Sequence, residues 1–564
     1  MKSFPSCWTC RLRKKRCDGR HPVCETCASL FITCHFSATK PPWMDGGEKQ
    51  QEMADQLKQD VKAKAHLRGE ARVSSSHDRM RESQRSSTIP TTNPAIDLAS
   101  TTRPATTASS TACTLGKIDL VNLHLKQSDT VLMTLYIEHL MPLMFPFYRP
   151  SIMDGGRAWV LEMMLKSPVV RQSTLCQSSY FFNIARGAEC RAELCNTILI
   201  QYGDASRVLR HALQVLLDSD VASHLHGAVR VLVSIMQLQR FEIAMSSFEK
   251  CQTHLDGAVA LFKQIMESSG EHPTQRFSFE KIIMDRLQQP LENDPKLAAY
   301  MPSAEQAAFR FATSLLILDD IVASTITNRQ PRLYRYHGKL LDFDIYDSAE
   351  IDLTAVAGIS NAVIQQIHEI AFLNAWKIEK KTTDSLDIMG LAASASVIKV
   401  KIEAEITRIG DTMDVGATDG SPRSSIFNPY SDTPSTSAAS INMVTRIWAH
   451  SALLYLHIVV SGWQPTNVEV RYHVTCIKDM LSHHETVLLR STVWPLVVAG
   501  CLATDEQEYA FRAIVQKAQP SKVYGTVHKA LAIMENAWQH RSDWTVDWDL
   551  ATCFRDQDEL VLLV

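Results

Sequence analysis

The chain of 564 residues is 45% hydrophobic and carries a formal net charge of −3. That length is too great for one core and predicts two or three units, while the apolar share is that of an ordinary globular protein. The strongest apolar runs, at 453–460 and 493–503, fall short of the ~18 residues needed to cross a bilayer, so they are expected as core helices and a membrane is not expected as a partner.

The charge is unevenly placed. Residues 1–40 hold eight Lys or Arg and two acids, so this end is basic and the rest of the chain acidic. The same stretch holds six of the 14 cysteines: Cys7, Cys10, Cys17, Cys24, Cys27 and Cys34. Their spacing is C-x2-C-x6-C twice over, an internal repeat. A two-residue gap lets both thiolates face one metal ion, and zinc takes four thiolates as a tetrahedron. Six cysteines cannot make two separate four-thiolate sites. They can serve two Zn2+ if two of them bridge, and the symmetry of the repeat selects the first of each half, Cys7 and Cys24. One ion then takes Cys7, Cys10, Cys17 and Cys24, and the other Cys7, Cys24, Cys27 and Cys34. The rival reading is three disulfides in a secreted module. No apolar signal segment precedes the cysteines, and intracellular thiols stay reduced. The other eight cysteines are scattered and are expected as buried or free thiols.

The halves of the repeat share spacing but not chemistry. Arg11-Leu12-Arg13-Lys14-Lys15-Arg16 fills the first six-residue gap, and Ala28-Ser29-Leu30-Phe31-Ile32-Thr33 the second. The first reads as a face for a polyanion and the second as a face that packs. A small module this basic is an electrostatic footprint for nucleic acid. Standing alone, the run RLRKKR would be a solvated face or a nuclear import signal.

With all six cysteines, the basic run and Pro22 two residues before Cys24, residues 7–34 resemble the fungal Zn2Cys6 binuclear zinc cluster. The resemblance implies a DNA-binding module whose short helix after Cys10 enters the major groove and reads a CGG triplet. It puts the base-reading lysine at Lys14, with Arg13 beside it, and phosphate contacts at Arg11 and Arg16; Lys15 completes the set expected to meet DNA. Lys and Arg suit guanine O6 and N7, while phosphate contacts add affinity without sequence information.

The module is expected to span residues 1–40, followed by a linker with a short helix at 41–72. Met53, Leu57, Val61 and Ala65 recur every four residues there, one narrow apolar stripe. It suits either a short dimerising coiled coil or an exposed helix that pairs with nothing. Residues 73–116 are rich in Ser, Thr, Pro and Arg and are expected to be disordered. From 117 to 564 the pattern is helical. Val131, Leu132, Leu135, Tyr136 and Leu140 share one helical face, and helices are expected at 156–165, 207–217, 228–238, 248–266, 304–324, 355–380, 392–409, 443–460 and 469–482. A flexible loop is expected at 410–439. The fold class is thus a metal-stabilised zinc-cluster module of two short helices around two zinc ions, then a disordered linker and a large all-α domain.

The helical part carries a second, more diffuse resemblance. Phe145–Pro150 with Gly155-Gly156-Arg157-Ala158-Trp159, then Thr445–His450 and Trp494–Cys501, are similar to the fungal-specific transcription factor domain. That implies a helical regulatory region acting on the transcription machinery, sometimes in response to a metabolite.

Residues 117–564 contain no GxGxxG, no P-loop, no GxSxG and no HExxH. His483-His484-Glu485, Cys190 with Cys195, and the pair Asp319-Asp320 are the local clusters, and none makes a recognisable catalytic set. Adjacent Asp319 and Asp320 would face different sides of a helix. The expectation is a nuclear, non-enzymatic, zinc-dependent regulator of RNA polymerase II genes that binds double-stranded DNA, with a homodimer among its forms. The rival is an interaction or ligand-sensor protein in which the helical domain dominates and the cluster binds DNA non-specifically or binds protein.

Overall fold

A computed structural model of the chain describes residues 6–17, 24–28, 30, 32–35, 40–63, 127–151, 155–186, 192–217, 221–245, 248, 250–268, 279–287, 302–342, 350–414, 438–483, 485–521, 523–545, 548–554 and 561–563. The chain divides into two units, Met1–Thr111 and Ala112–Val564. Every regular element among the described residues is helical. The segment 73–116 lies outside the described residues.

Among the described residues the first unit has three helices, α1 (Trp8–Leu12), α2 (Glu25–Ala28) and α3 (Glu48–Ala63). The Asp45 carboxylate starts α3 by accepting from the Gly47 N–H at 2.8 Å and the Gln50 N–H at 3.2 Å, which satisfies donors with no partner inside the helix. Of the expected stripe, Leu57 is buried and Met53 half-buried; the side chains of Val61 and Ala65 lie outside the description.

The second unit begins with α4 (Gln127–Leu135), which runs through a π turn (Tyr136–Leu140) into Met141–Met144. The inward side holds Met133, Tyr136, Leu140 and Met141, while Val131 is 48% exposed, contrary to expectation. The wider π turn shifts the helix face relative to a strict 3.6-residue count. Then follow α5 (Ala158–Lys166), α6 (Pro168–Ala185), α7 (Ala192–Leu217), α8 (Leu225–Ala244), α9 (Cys251–Glu267) and α10 (Ala304–Thr327). The rest is α11 (Tyr334–Leu341), α12 (Leu353–Ala357), α13 (Asn361–Thr382), α14 (Ile388–Asp414), α15 (Ala438–Ser461), α16 (Val468–Ser482), α17 (Val493–Cys501), α18 (Asp505–Gln516), α19 (Gly525–Gln539) and α20 (Leu550–Cys553).

The helix α10 is the spine of this unit. It packs on α5, α8, α9, α13 and α20. A helix that is apolar all round has to be buried, and nearly every residue of α10 is. Ser303 and Gln306 start it with a reciprocal capping box. Its Phe311 receives Phe145, Tyr148 and Trp159 at ring-centroid distances of 5.0, 4.6 and 5.5 Å, and the Trp159 indole donates to the Tyr148 hydroxyl at 2.9 Å. At its other end, Trp494 of α17 donates to Thr325 Oγ1 at 2.9 Å and stacks on Trp448 of α15, centroids 5.1 Å apart. The aromatic motifs noted in the sequence are therefore contacts of the spine or of each other. Gly500 of α17 is required by its neighbour: a β-carbon there would overlap the Met534 side chain of α19.

Two stretches, Val221–Ala244 and Ala438–Ser461, reach the length and hydropathy of a membrane span, with 56% and 78% of the 18-residue apolar window in each buried within the chain. Counting uninterrupted apolar runs missed both, because Gln239 and Glu242 in the first and His450 and Ser451 in the second break the run while being buried themselves. Both pack as core helices. The helix α14 passes the expected boundary at 410, since buried Ile409 anchors its last turns; residues 415–437 of the expected loop lie outside the described residues.

Candidate metal centre and nucleic-acid interface

Cys7 caps the start of α1, its sulfur accepting from the Cys10 N–H at 3.2 Å. Cys24 stands in the same relation to α2, accepting from the Cys27 N–H at 3.4 Å. The third cysteine of each half closes the loop: Cys17 Sγ accepts from the Cys7 N–H at 3.4 Å, and Cys34 Sγ from the Cys24 N–H at 3.5 Å. The repeat in spacing is thus a repeat in hydrogen bonding. Such second contacts orient thiolate ligands and support their charge.

The six sulfurs form two sets, Cys7, Cys10, Cys17 and Cys24, and Cys7, Cys24, Cys27 and Cys34, with all sulfurs of a set within 4.8 Å of one another. Cys7 and Cys24 belong to both and are 3.7 Å apart. Other separations are 3.6 Å for Cys10–Cys24, 3.8 Å for Cys7–Cys27 and 3.7 Å across the sets for Cys10–Cys27. An ion about 2.3 Å from four tetrahedral sulfurs spaces them about 3.8 Å apart, so the donor set fits zinc. Cys7, Cys10, Cys24 and Cys27 are fully buried. Burial pushes the Cys7, Cys10 and Cys27 thiols up, Cys10 to about 11. For Cys24 burial is outweighed by hydrogen bonds from the Cys27 N–H and the neighbouring sulfurs, which bring it down to about 7; all four sulfurs hold thiolate charge together at neutral pH only around a cation.

Cross-ties join the halves. Thr9 Oγ1 donates to the Thr33 carbonyl at 2.9 Å and accepts from the His35 N–H at 3.0 Å, beside a 2.8 Å bond from the Trp8 N–H to the His35 carbonyl. Thr26 Oγ1 donates to the Arg16 carbonyl at 2.9 Å. Sequence reasoning passed over both threonines, although each sits two residues after the first cysteine of its half. Ile32 and Leu30 of the uncharged gap pack on the cysteines.

The basic run lies at and beyond the end of α1. Arg11 is exposed and within the helix, its guanidinium 4.7 Å from the centre of the Trp8 ring. The helix stops at Leu12, so Arg13, Lys14, Lys15 and Arg16 follow its C-terminus instead of riding on it. The stop is a Schellman turn: the Lys15 N–H reaches the Cys10 carbonyl at 2.9 Å and the Lys14 N–H the Arg11 carbonyl at 3.2 Å. Lys14 takes the left-handed conformation that such a turn needs, with φ 52°. Lys14, Lys15 and Arg16 are exposed, and Arg13 half-buried.

The local clusters of the second unit stay apart or are paired. Asp319 binds Arg240 at 2.6 Å, and Asp320 binds Arg332 at 3.0 Å and the Leu333 N–H at 2.8 Å, so the neighbours face different partners. His483 caps the end of α16, His484 and Cys190 lie outside the described residues, and nothing is described of the Cys195 side chain.

The fungal specific transcription factor domain matches residues 131–564, and the fungal Zn(2)-Cys(6) binuclear cluster domain matches residues 5–43. The transcription factor dibT of Pestalotiopsis microspora is 28% identical over 625 residues, covering 98% of this chain and 97% of that protein. The pestheic acid cluster transcriptional regulator 3 of Pestalotiopsis fici is 26% identical over 573 residues, covering 97% and 96%. The trichothecene biosynthesis transcription regulator TRI10 of Trichoderma arundinaceum is 24% identical over 439 residues, covering 75% and 92%. No solved structure matches the chain significantly.

Proposed function

The chain belongs to the fungal transcription factors that join a Zn(2)-Cys(6) cluster to a fungal specific transcription factor domain, and on that premise we propose that it binds CGG-type DNA sites in the nucleus and regulates RNA polymerase II genes of a biosynthetic cluster. The cluster part of the reading rests on two of these relatives, whose names refer to pestheic acid and trichothecene biosynthesis.

In this reading Cys7, Cys10, Cys17, Cys24, Cys27 and Cys34 hold two Zn2+, with Cys7 and Cys24 shared. The ions take the place of a hydrophobic core, so the module folds only when loaded. The module spans 1–40 and the linker with its pairing helix 41–72; a connecting segment spans 73–116 and the regulatory domain 117–564. Lys14 and Arg13 read guanine edges, while Arg11, Lys15 and Arg16 hold phosphates. A homodimer formed through α3 would fix the spacing of two half-sites. The protein carries out no catalysis.

The observation that carries the reading is the pair of sulfur sets sharing Cys7 and Cys24, with a run of exposed cations just past α1. The test is a selection from randomised duplex DNA with the full chain, with and without a zinc chelator, at physiological salt. Enrichment of CGG triplets only in the zinc-loaded sample is expected. No enrichment in either sample overturns the reading and favours a sensor that binds DNA non-specifically.

A further inference from the structure

The second unit contains a cavity between α8, α10, α12, α15 and the 3-10 turn Thr486–Thr492. It holds 70 Å3 and opens to solvent. Phe145, Leu315, Leu318, Ile359 and Trp448 make apolar walls. A smaller cavity of 20 Å3 adjoins it, with Phe145, Arg240 and Leu315 lining both.

Two cations stand among these walls, Arg240 and Arg490. Arg240 gives one nitrogen to Asp319 at 2.6 Å, while its buried Nε has no partner. Arg490 gives Nη1 to the Val523 carbonyl at 2.7 Å and lies 5.9 Å from the centre of the Tyr524 ring. It forms no ion pair with any described carboxylate. Burial and the nearby charge of Arg240 pull the Arg490 guanidinium down to about 10, which leaves it charged at neutral pH. Asp319 therefore pairs with Arg240, while Arg490 stands in the enclosure with a backbone carbonyl and an aromatic ring as its partners.

Removing charge from water costs free energy unless it is paired. A free guanidinium edge is shaped for a carboxylate, and binding sites for small molecules combine apolar walls with a few converging polar groups. We propose that this cavity is a binding site for a small apolar carboxylic acid, its acid group taken by Arg490 with the Arg240 cation nearby and its hydrocarbon body lying against Phe145, Ile359 and Trp448. The ligand supplies the missing negative charge. It joins α8, α10 and α15, so its occupancy tightens the whole unit. The site lies wholly in the second unit and goes beyond the DNA-binding reading.

The test uses the zinc-loaded full chain, with titration calorimetry and thermal melting. The probes are propionate and butyrate, sized to the cavity, each against its uncharged carboxamide. Saturable 1:1 binding of at least one acid is expected, with a raised melting temperature and at least tenfold preference over the amide. Arg490→Met should abolish that preference and melt no lower than the native chain without ligand, because the uncompensated cation is gone. Equal binding of acid and amide, or no saturable binding of either acid at millimolar concentration, overturns the proposal. So does an acid preference that survives in Arg490→Met. The comparison of acid with amide on the native chain needs no variant and holds even where the variant does not fold.

Discussion

Thr9 and Thr26 occupy the same place in the two halves of the cysteine repeat, and each reaches across to the carbonyl just before the third cysteine of the other half. The ties are alike in geometry but not in environment. Thr9 is fully buried and also accepts from the His35 N–H, whereas the Thr26 bond is exposed. A buried hydroxyl removed from such a pair strands its partners, at about 1–3 kcal/mol, while an exposed bond is replaced by water at little cost. Thr9→Val should therefore release zinc to a competing chelator at distinctly lower chelator concentration than the native chain, and Thr26→Val at nearly the native concentration. Equal shifts for both variants would show that the ties do not differ in this way.

At Lys14 backbone and side chain make opposite demands. A lysine in the left-handed region costs about 1 kcal/mol relative to glycine, the usual residue at this place in a Schellman turn. Strain of this kind persists where a side chain is needed for another task. Lys14→Gly should hold zinc at least as tightly as the native chain and yet lose discrimination at one base pair of the site, at about 1–3 kcal/mol. Parallel chelator competition and DNA titration separate the two effects. A variant that loses zinc and DNA together would place Lys14 in the fold instead of at the interface.

Most of the cysteine module was legible because it is short in sequence separation and its ligand chemistry is specific. The repeat alone pairs Cys7 with Cys24 as the shared positions, and the sulfurs take that arrangement. The end of α1 was not legible: nothing in RLRKKR announces that Leu12 is the last helical residue, since lysine is an unusual occupant of a left-handed turn. In the second unit, apolar periodicity marked α8, α9, α10 and α15 but passed over α6, α11, α18 and α19. Two of these had readable starts. Ser167 accepts from the Val170 N–H with Pro168 at the first helical position, and Thr504 with Gln507 makes a capping box. The cavity with its two arginines could not be read at all, because Arg240 and Arg490 lie far apart in sequence and meet only through packing.

The shared sulfurs set a hierarchy among the cysteines. Cys7 belongs to both sets, Cys34 to one. Cys34→Ser should leave the chain with roughly one tightly held zinc, and Cys7→Ser with none, because a metal site with a missing ligand loses most of its folding free energy. Metal analysis after passage over a chelating resin reads this directly. Equal zinc contents in the two variants would remove the distinction between shared and terminal ligands.

The Asp319 carboxyl, buried in α10, titrates near neutrality, and this predicts a dependence of stability on pH. Burial raises it to about 6, with Asp320 adding to the rise and Arg240 opposing it. In the unfolded chain the same group titrates near the ordinary aspartate value of about 3.9. The folded state thus binds the proton more tightly. Its contribution to stability is complete below the unfolded value and is lost as pH rises through about 6. A displacement of this size corresponds to roughly 3 kcal/mol across that window. Asp319→Asn cannot titrate, so its melting temperature should fall less between pH 4 and pH 7 than that of the native chain. At pH 4 the native carboxyl is protonated and Arg240 already lacks a charged partner, so the two chains should melt close together there. Asp320, also raised by burial, remains in the variant and keeps part of the slope. Scanning calorimetry at closely spaced pH values measures both curves, and identical slopes would mean that Asp319 stays ionised in the fold, held by Arg240 alone.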